Sequence, residues 1–213
     1  MQYICELIDI CKSYGNHAIL DEFNLKICEG EMVAITGKSG SGKTTILNIM
    51  GMLENPDNGV VKLFGEESPS MNSSKANKLL RTKMSYLFQN YALIDNDTVN
   101  KNLEIPLIYA KKTKKEKKEL KTVALEKVGL RSVSLQQKIH ELSGGEQQRV
   151  AIARILLKPC ELILADEPTG SLDDSNRNEI IQILKNLNKE GKTIVIVTHD
   201  PYVAQVCDRV IEL

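Results

Sequence analysis

Apolar residues along this chain follow two rhythms. Met32-Val33-Ala34-Ile35-Thr36, Leu162-Ile163-Leu164-Ala165 and Ile194-Val195-Ile196-Val197 are short runs without alternation, the pattern of strands covered on both faces. Gly59-Val60-Val61-Lys62-Leu63-Phe64-Gly65 is bounded by turn residues and predicts an edge strand. A helix is expected over Ile46–Leu53, directly after a Gly-rich turn. Between about residues 90 and 158 strand signals vanish, and helices are expected around Val99–Ala110, Lys114–Val128 and Gly145–Leu157. Strands alternating with helices predict an α/β fold around a mainly parallel sheet. The chain reads as one domain, 1–213, with residues 1–89 and 159–213 forming the sheet-based core and residues 90–158 a helical subdomain. It contains no internal repeat and no long linker.

Composition narrows this picture. A chain of 213 residues with 42% hydrophobic and 26% charged content suits one substantial globular domain. Formal net charge is zero, aromatics are 4% and Trp is absent, so no nucleic-acid partner is expected. Cys5, Cys11, Cys28, Cys160 and Cys207 are scattered without a C-x-x-C pair. Each is expected as a small buried hydrophobe in a reducing compartment. No apolar run approaches the roughly 18–20 residues a membrane-spanning helix needs. Met1–Glu6 opens like a strand, with no signal peptide visible, so contact with a membrane is expected only through a partner. Lys111–Lys121 holds seven lysines against two glutamates. A solvated helix face is the plain reading, and a surface for anionic headgroups or an acidic partner the sharper one.

Candidate chemistry begins after the first buried strand. Gly37-Lys38-Ser39-Gly40-Ser41-Gly42-Lys43-Thr44 fits G-x-x-x-x-G-K-S/T, the Walker A pattern. Its glycines let successive N–H groups converge on phosphate oxygens, and the following helix adds its N-terminal dipole. Lys43 can reach the β- and γ-phosphates, while the Thr44 hydroxyl suits Mg²⁺. The strand Leu162–Ala165 ends in Asp166 and Glu167, which a parallel sheet delivers to its ligand-binding edge. Asp166 is placed to hold Mg²⁺, and Glu167 to polarise the water that attacks the γ-phosphate. Ser143-Gly144-Gly145 at a helix start forms a second anion device.

Leu142-Ser143-Gly144-Gly145-Glu146-Gln147-Gln148-Arg149 resembles the ABC signature, and with the Walker patterns the chain is similar to ATP-binding subunits of ABC transporters over essentially its whole length. The resemblance implies a RecA-like P-loop NTPase core, an antiparallel β subdomain and an inserted α-helical subdomain. It implies ATP and Mg²⁺ as cofactors, and a second copy of the chain in an ATP-sandwich dimer. ATP is then held by Gly37–Thr44 and Thr45 of one subunit, with Tyr14 under the adenine, and by Ser143, Gly144, Gly145 and Glu146 of the other. Gln89, after Tyr86-Leu87-Phe88, resembles the Q-loop glutamine that touches Mg²⁺ and the attacking water. Mg²⁺ would thus be shared by Thr44, Gln89 and Asp166, and catalysis by Glu167, His199, Gln89 and Lys43. Ser171-Leu172-Asp173 resembles the D-loop, and His199 the switch histidine; His17 and His140 are read as ordinary.

Ala165–Asp173 looks most like the branch serving lipoprotein release, macrolide-type efflux and cell division. Phe88–Ile94 with Thr98-Val99 and Asn102-Leu103-Glu104 is similar to bacteriocin-export ATPases within it. The implied role is an ATPase on the cytoplasmic face of the cell membrane, energising a separate transmembrane permease that exports or extracts a peptide, lipoprotein or drug-like molecule. Its contact surface would be the Q-loop with Asn90–Tyr109. A non-transporting mechanical ATPase of cell-division type is the alternative. Soluble repair or translation ATPases would carry coiled coils, zinc modules or a second cassette, and a P-loop kinase would leave the signature without a task. Many relatives continue past the final strand into a Gly-containing hairpin, whereas this chain stops at Leu213, either naturally or by truncation.

Overall fold

The computed structural model describes residues 2–170 and 172–213; Ser171, expected in the loop against an opposite subunit, lies outside the described residues. Strands β1 (Tyr3–Tyr14) and β2 (His17–Cys28) form a hairpin whose tight turn opens on Gly15 at φ 60°. A two-residue hairpin turn needs that left-handed first position, which glycine takes without strain. Strands β4 (Asn58–Leu63) and β5 (Glu66–Glu67) complete an antiparallel sheet in the order β2-β1-β4-β5. The strand expected at the edge is covered only at Lys62 and Leu63, where the two-residue β5 pairs with it, and the rest of β4 stays at the edge.

The second sheet has five parallel strands in the order β6-β7-β8-β3-β9. They are β3 (Met32–Thr36), β6 (Met84–Leu87), β7 (Leu162–Asp166), β8 (Thr193–Val197) and β9 (Arg209–Glu212). Helices α1 (Lys43–Met50), α2 (Ser74–Thr82), α3 (Val99–Glu104), α4 (Lys114–Lys127), α5 (Gly144–Leu156), α6 (Asp174–Lys189) and α7 (Pro201–Gln205) surround it. Two cores explain the unbroken apolar runs. Leu162, Leu164, Val195 and Val197 face the core shared with α1 and the antiparallel sheet. Ile163, Ala165, Ile194 and Ile196 face the core built with α3–α6. With both faces covered, alternation has no polar half to display.

Several expectations are corrected. Helix α1 starts at Lys43 rather than Ile46, because a glycine caps it and leaves no side-chain signal, and it ends before Gly51. The helix expected over Val99–Ala110 stops at Glu104 and tightens into a 3₁₀ turn, Ile105–Leu107, where Pro106 removes a backbone donor. Only Cys5 and Cys160 are buried, the other three cysteines being half-buried. The Lys111–Lys121 run is not wholly solvated. Lys121 is 3% exposed and donates to the Glu104 carboxylate and to Asn100 Oδ1 at 2.8 Å, with Lys117 also bound to Glu104 at 2.7 Å. Among the described residues, no helix is long and apolar enough to cross a membrane.

Candidate functional site

Parallel strands deliver their next residues to one edge of the sheet, and four of the five bring candidate chemistry there. β3 leads into Gly37, β6 into Gln89, β7 into Asp166 and Glu167, and β8 into Thr198 and His199. Register places them side by side: Leu87 pairs with Ala165, Asp166 with Val197, and Val197 with Ile35.

The loop between β3 and α1 turns through Gly37, Gly40 and Gly42 at φ 145°, 79° and 94°. At Gly42 a Cβ would lie 2.7 Å from Ile19 Cγ2, and at Gly37 2.8 Å from the Leu213 carbonyl oxygen, so neither position has room for a side chain. Helices α2 to α7, apart from α1, are each capped by a side chain: Ser73, Thr98, Thr113, Ser143, Asp173 and Asp200. Gly42 offers α1 none, so the first N–H groups of that helix lack a side-chain acceptor. The Lys43 ammonium donates to the Gly37 and Lys38 carbonyls at 2.8 and 2.7 Å. Ser41 Oγ is buried and unpartnered among the described residues. Free amides, a glycine-lined turn and a cation without a carboxylate fit a polyphosphate.

Thr44 Oγ1 donates to Asp166 Oδ1 at 3.4 Å. Asp166 is 9% exposed, and burial pushes its carboxyl above the usual range against the opposing Thr44 hydrogen bond. No group of three or more His, Cys, Asp or Glu could hold a metal by itself among the described residues. One carboxylate and one hydroxyl fit Mg²⁺, which takes few protein ligands and completes its shell with water and substrate phosphates.

Glu167 adopts a left-handed φ of 44°, a conformation that strains a residue bearing a side chain. Its N–H donates to the Val197 carbonyl at 2.9 Å, and its Oε1 lies 2.7 Å from His199 Nδ1. A second contact, from the His199 backbone N–H at 3.4 Å, holds the other carboxylate oxygen. The structure thus couples the acid after β7 to the histidine after β8. Gln89 sits exposed in the turn after β6, and its side chain bonds to none of these groups among the described residues.

Tyr14 is 49% exposed; its hydroxyl donates to Glu54 Oε1 at 2.6 Å and lies 3.4 Å from Thr45 Oγ1. Lys12 lies 5.6 Å from the ring centroid and pairs with Asp57 and Glu54 at 3.0 and 3.4 Å. The Glu54 contact chiefly raises the Tyr14 phenol, opposed by Thr45. Glu54 orients the ring from 40 positions away, and no local sequence signal could have marked it.

Ser143 caps α5 in a closed box. Its Oγ accepts from the Glu146 N–H at 3.3 Å and donates to Glu146 Oε2 at 2.7 Å, while its own N–H donates to the same oxygen at 2.8 Å. Gly145 is pressed against α6, since a Cβ there would fall 2.2 Å from Asn176 Oδ1. Asp173 caps α6 and binds Asn176 Nδ2 at 2.6 Å. Gln148, buried, donates to the Pro168 carbonyl at 2.6 Å and so ties α5 to the loop after Glu167. No hydrogen bond joins Ser143–Glu146 to residues 37–45 among the described residues. The two candidate anion devices stand apart within one chain.

A glycine-lined strand–loop–helix cradle beside a strand-borne acid pair, on a parallel sheet, defines a P-loop nucleoside-triphosphate-binding protein. The family model described as ABC transporter matches residues 20–170, and the chain belongs to that family. Tyr14 and His199 fall outside the matched stretch. The macrolide export ATP-binding/permease protein MacB of Shewanella sp. strain ANA-3 is 44% identical over 195 residues, covering 92% of this chain and 30% of that protein. The corresponding Campylobacter jejuni protein is 44% identical over 207 residues, covering 97% and 32%. The chain thus spans about a third of the length of the curated relatives it matches. Among solved structures, a dimeric ATP-binding cassette in a post-hydrolysis state bound to ADP and Pi superposes with a TM-score of 0.90 at 39% identity, covering 98% of this chain and 94% of that one. A dimeric bacterial ABC transporter cassette gives 0.90 at 40% identity over the same shares.

Proposed function

We propose that the chain binds and hydrolyses ATP as one half of an ATP-sandwich dimer and energises an export complex. The observation that carries this reading is the Glu167–His199 contact at 2.7 Å, on the same sheet edge as Thr44 and Asp166. Gly37–Thr45 cradle the phosphates, with Lys43 leaving its two loop carbonyls for the β- and γ-phosphates. Tyr14, braced by Glu54, supplies the surface under the adenine. Thr44, Asp166 and Gln89 would hold Mg²⁺, which when bound would supply charge neutralisation to the developing phosphate. Glu167 accepts the proton of the attacking water, and His199 fixes its carboxylate and contacts the γ-phosphate. Ser143, Gly144, Gly145 and Glu146 receive the nucleotide of the other subunit, with Leu172 and Asp173 of the D-loop near the junction.

The names of the macrolide export relatives support an exporter and, of the drug-like, peptide and lipoprotein substrates the sequence suggests, the drug-like one. They also join ATP-binding and permease functions in one name. The permease is therefore assigned here as the membrane partner, with the cassette on the cytoplasmic face. Residues 90–158 form the lever between dimer closure and that partner.

Glu167→Gln tests the reading. Nucleotide binding is retained, turnover falls on the order of 10²–10⁴-fold, and MgATP traps a dimer visible by size exclusion. Turnover at the wild-type rate would remove Glu167 from this role.

A further inference from the structure

The end of helix α5 and the turn that follows it carry two cations, Arg154 and Lys158, whose only partners among the described residues are backbone carbonyls. Arg154 donates to the carbonyls of Ala92 and, at 2.9 Å, Tyr91. Lys158, two residues past the end of that helix, donates to the carbonyls of Leu80 and, at 2.6 Å, Met84. No ion pair satisfies either one among the described residues, and burial lowers the pKa of both. Desolvated cations without a counter-charge are poor stabilisers of a fold. What these two grip is one continuous segment. Lys158 holds the entrance to β6 and Arg154 holds the chain just past its end, with Gln89 between them. Tyr91 and Ala92 are both left-handed, at φ 61° and 47°, so the gripped turn is also one that side chains resist. Tyr91 closes the circuit from the other direction, since a Cβ on Gly144 would lie 3.3 Å from its hydroxyl.

We propose that Arg154 and Lys158 are positioning residues that yoke Gln89 to the signature helix, so that engagement of Ser143–Gly145 by a nucleotide sets where Gln89 stands. The inference rests on the hydrolytic reading above and deepens it. A shift of α5 pulls four carbonyls, and the short strand and turn follow as one piece. The helix start that meets one nucleotide then governs the glutamine beside another, which makes hydrolysis conditional on closure.

The test is a double-mutant cycle on the full chain, read as steady-state ATP turnover. Arg154→Met lowers kcat about tenfold while shifting KM for ATP less than about twofold. In a Gln89→Ala background the same substitution changes kcat less than about twofold, because its route of action is already gone. Arg154→Lys, keeping the charge but only part of the fork, recovers part of the loss. Lys158→Met gives the same pattern from the other end of the segment and serves alone if Arg154→Met does not fold. An equal loss in both backgrounds, or KM rising with the fall in kcat, would overturn the proposal in favour of packing. Failure of the hydrolytic reading is distinguishable, since Glu167→Gln would then leave turnover intact.

Discussion

The N-termini of α1 and α5 are built for the same chemistry and left in opposite states. At α1 the cap is Gly42, the helix amides lack a side-chain acceptor, and Lys43 rests on two loop carbonyls. At α5 a serine hydroxyl and a glutamate carboxylate close a capping box, so a negative group of the protein already sits at the helix start. An open device can accept a polyphosphate without rearrangement. A closed one exchanges its own carboxylate contacts for the ligand's, so it binds weakly alone and well only when a second subunit presents the nucleotide. Under the proposed function the difference sets an order of events: the α1 cradle loads first, and α5 closes on a nucleotide already held.

Three substitutions bear on that contrast. Lys43→Met has the largest expected effect. Losing a charge-assisted contact to phosphate lowers ATP affinity on the order of 100-fold by fluorescent nucleotide titration. An affinity within a few-fold of wild type would place the nucleotide elsewhere. Ser143→Ala comes next. It removes the cap and costs about 1 kcal/mol, seen as a melting shift of about 2–4 °C. Dilute subunits keep their ATP affinity while turnover at saturating ATP falls. A loss of affinity in the single subunit would end the asymmetry between the two helices. Glu146→Gln is the mildest, because glutamine preserves the box while removing its charge. Half-maximal turnover should need about two- to fivefold less ATP, an increase counting against competition between carboxylate and phosphate. The Ser143 hydroxyl and then its N–H hold the Glu146 carboxyl below its ordinary value. Stability from this group is complete above the unfolded-state value of about 4.3 and drains away as pH falls through the lower folded-state value. Melts taken from pH 7 towards pH 3 should show the glutamine variant without that part of the acid loss.

Much of the sheet was legible because its strands are covered on both faces. Leu162–Ala165 and Ile194–Val197 show it directly, and the glycines and lysine of residues 37–44 announce a turn suited to a phosphate ligand. Other features carried no local sign. β1 and β2 run for 12 residues each, yet left-handed Asp9 and Glu22 and shifts of register break their alternation. Lys121 looks like its solvated neighbours until Glu104, on a different helix, is brought beside it. The contacts of Arg154 and Lys158 were invisible for a plainer reason: their acceptors are main-chain oxygens, which every residue possesses. The closure of Glu146 over Ser143, by contrast, is written in the S-x-x-E spacing of residues 143–146.

The order of the parallel sheet also bears on how the chain comes to be folded. β3, which ends in the phosphate loop, finds both its neighbours in the last part of the sequence, pairing Met32 with Ile194 and Val33 with Arg209. During synthesis at about 5–20 residues per second, that apolar strand waits on the order of ten seconds with both edges bare. Pairings so distant also close slowly. The β1–β2 hairpin, made first and from adjacent residues, shares one hydrophobic core with β3 and α1. It is the natural shelter for the strand during that interval, and the nucleotide site becomes whole only as the final strands dock.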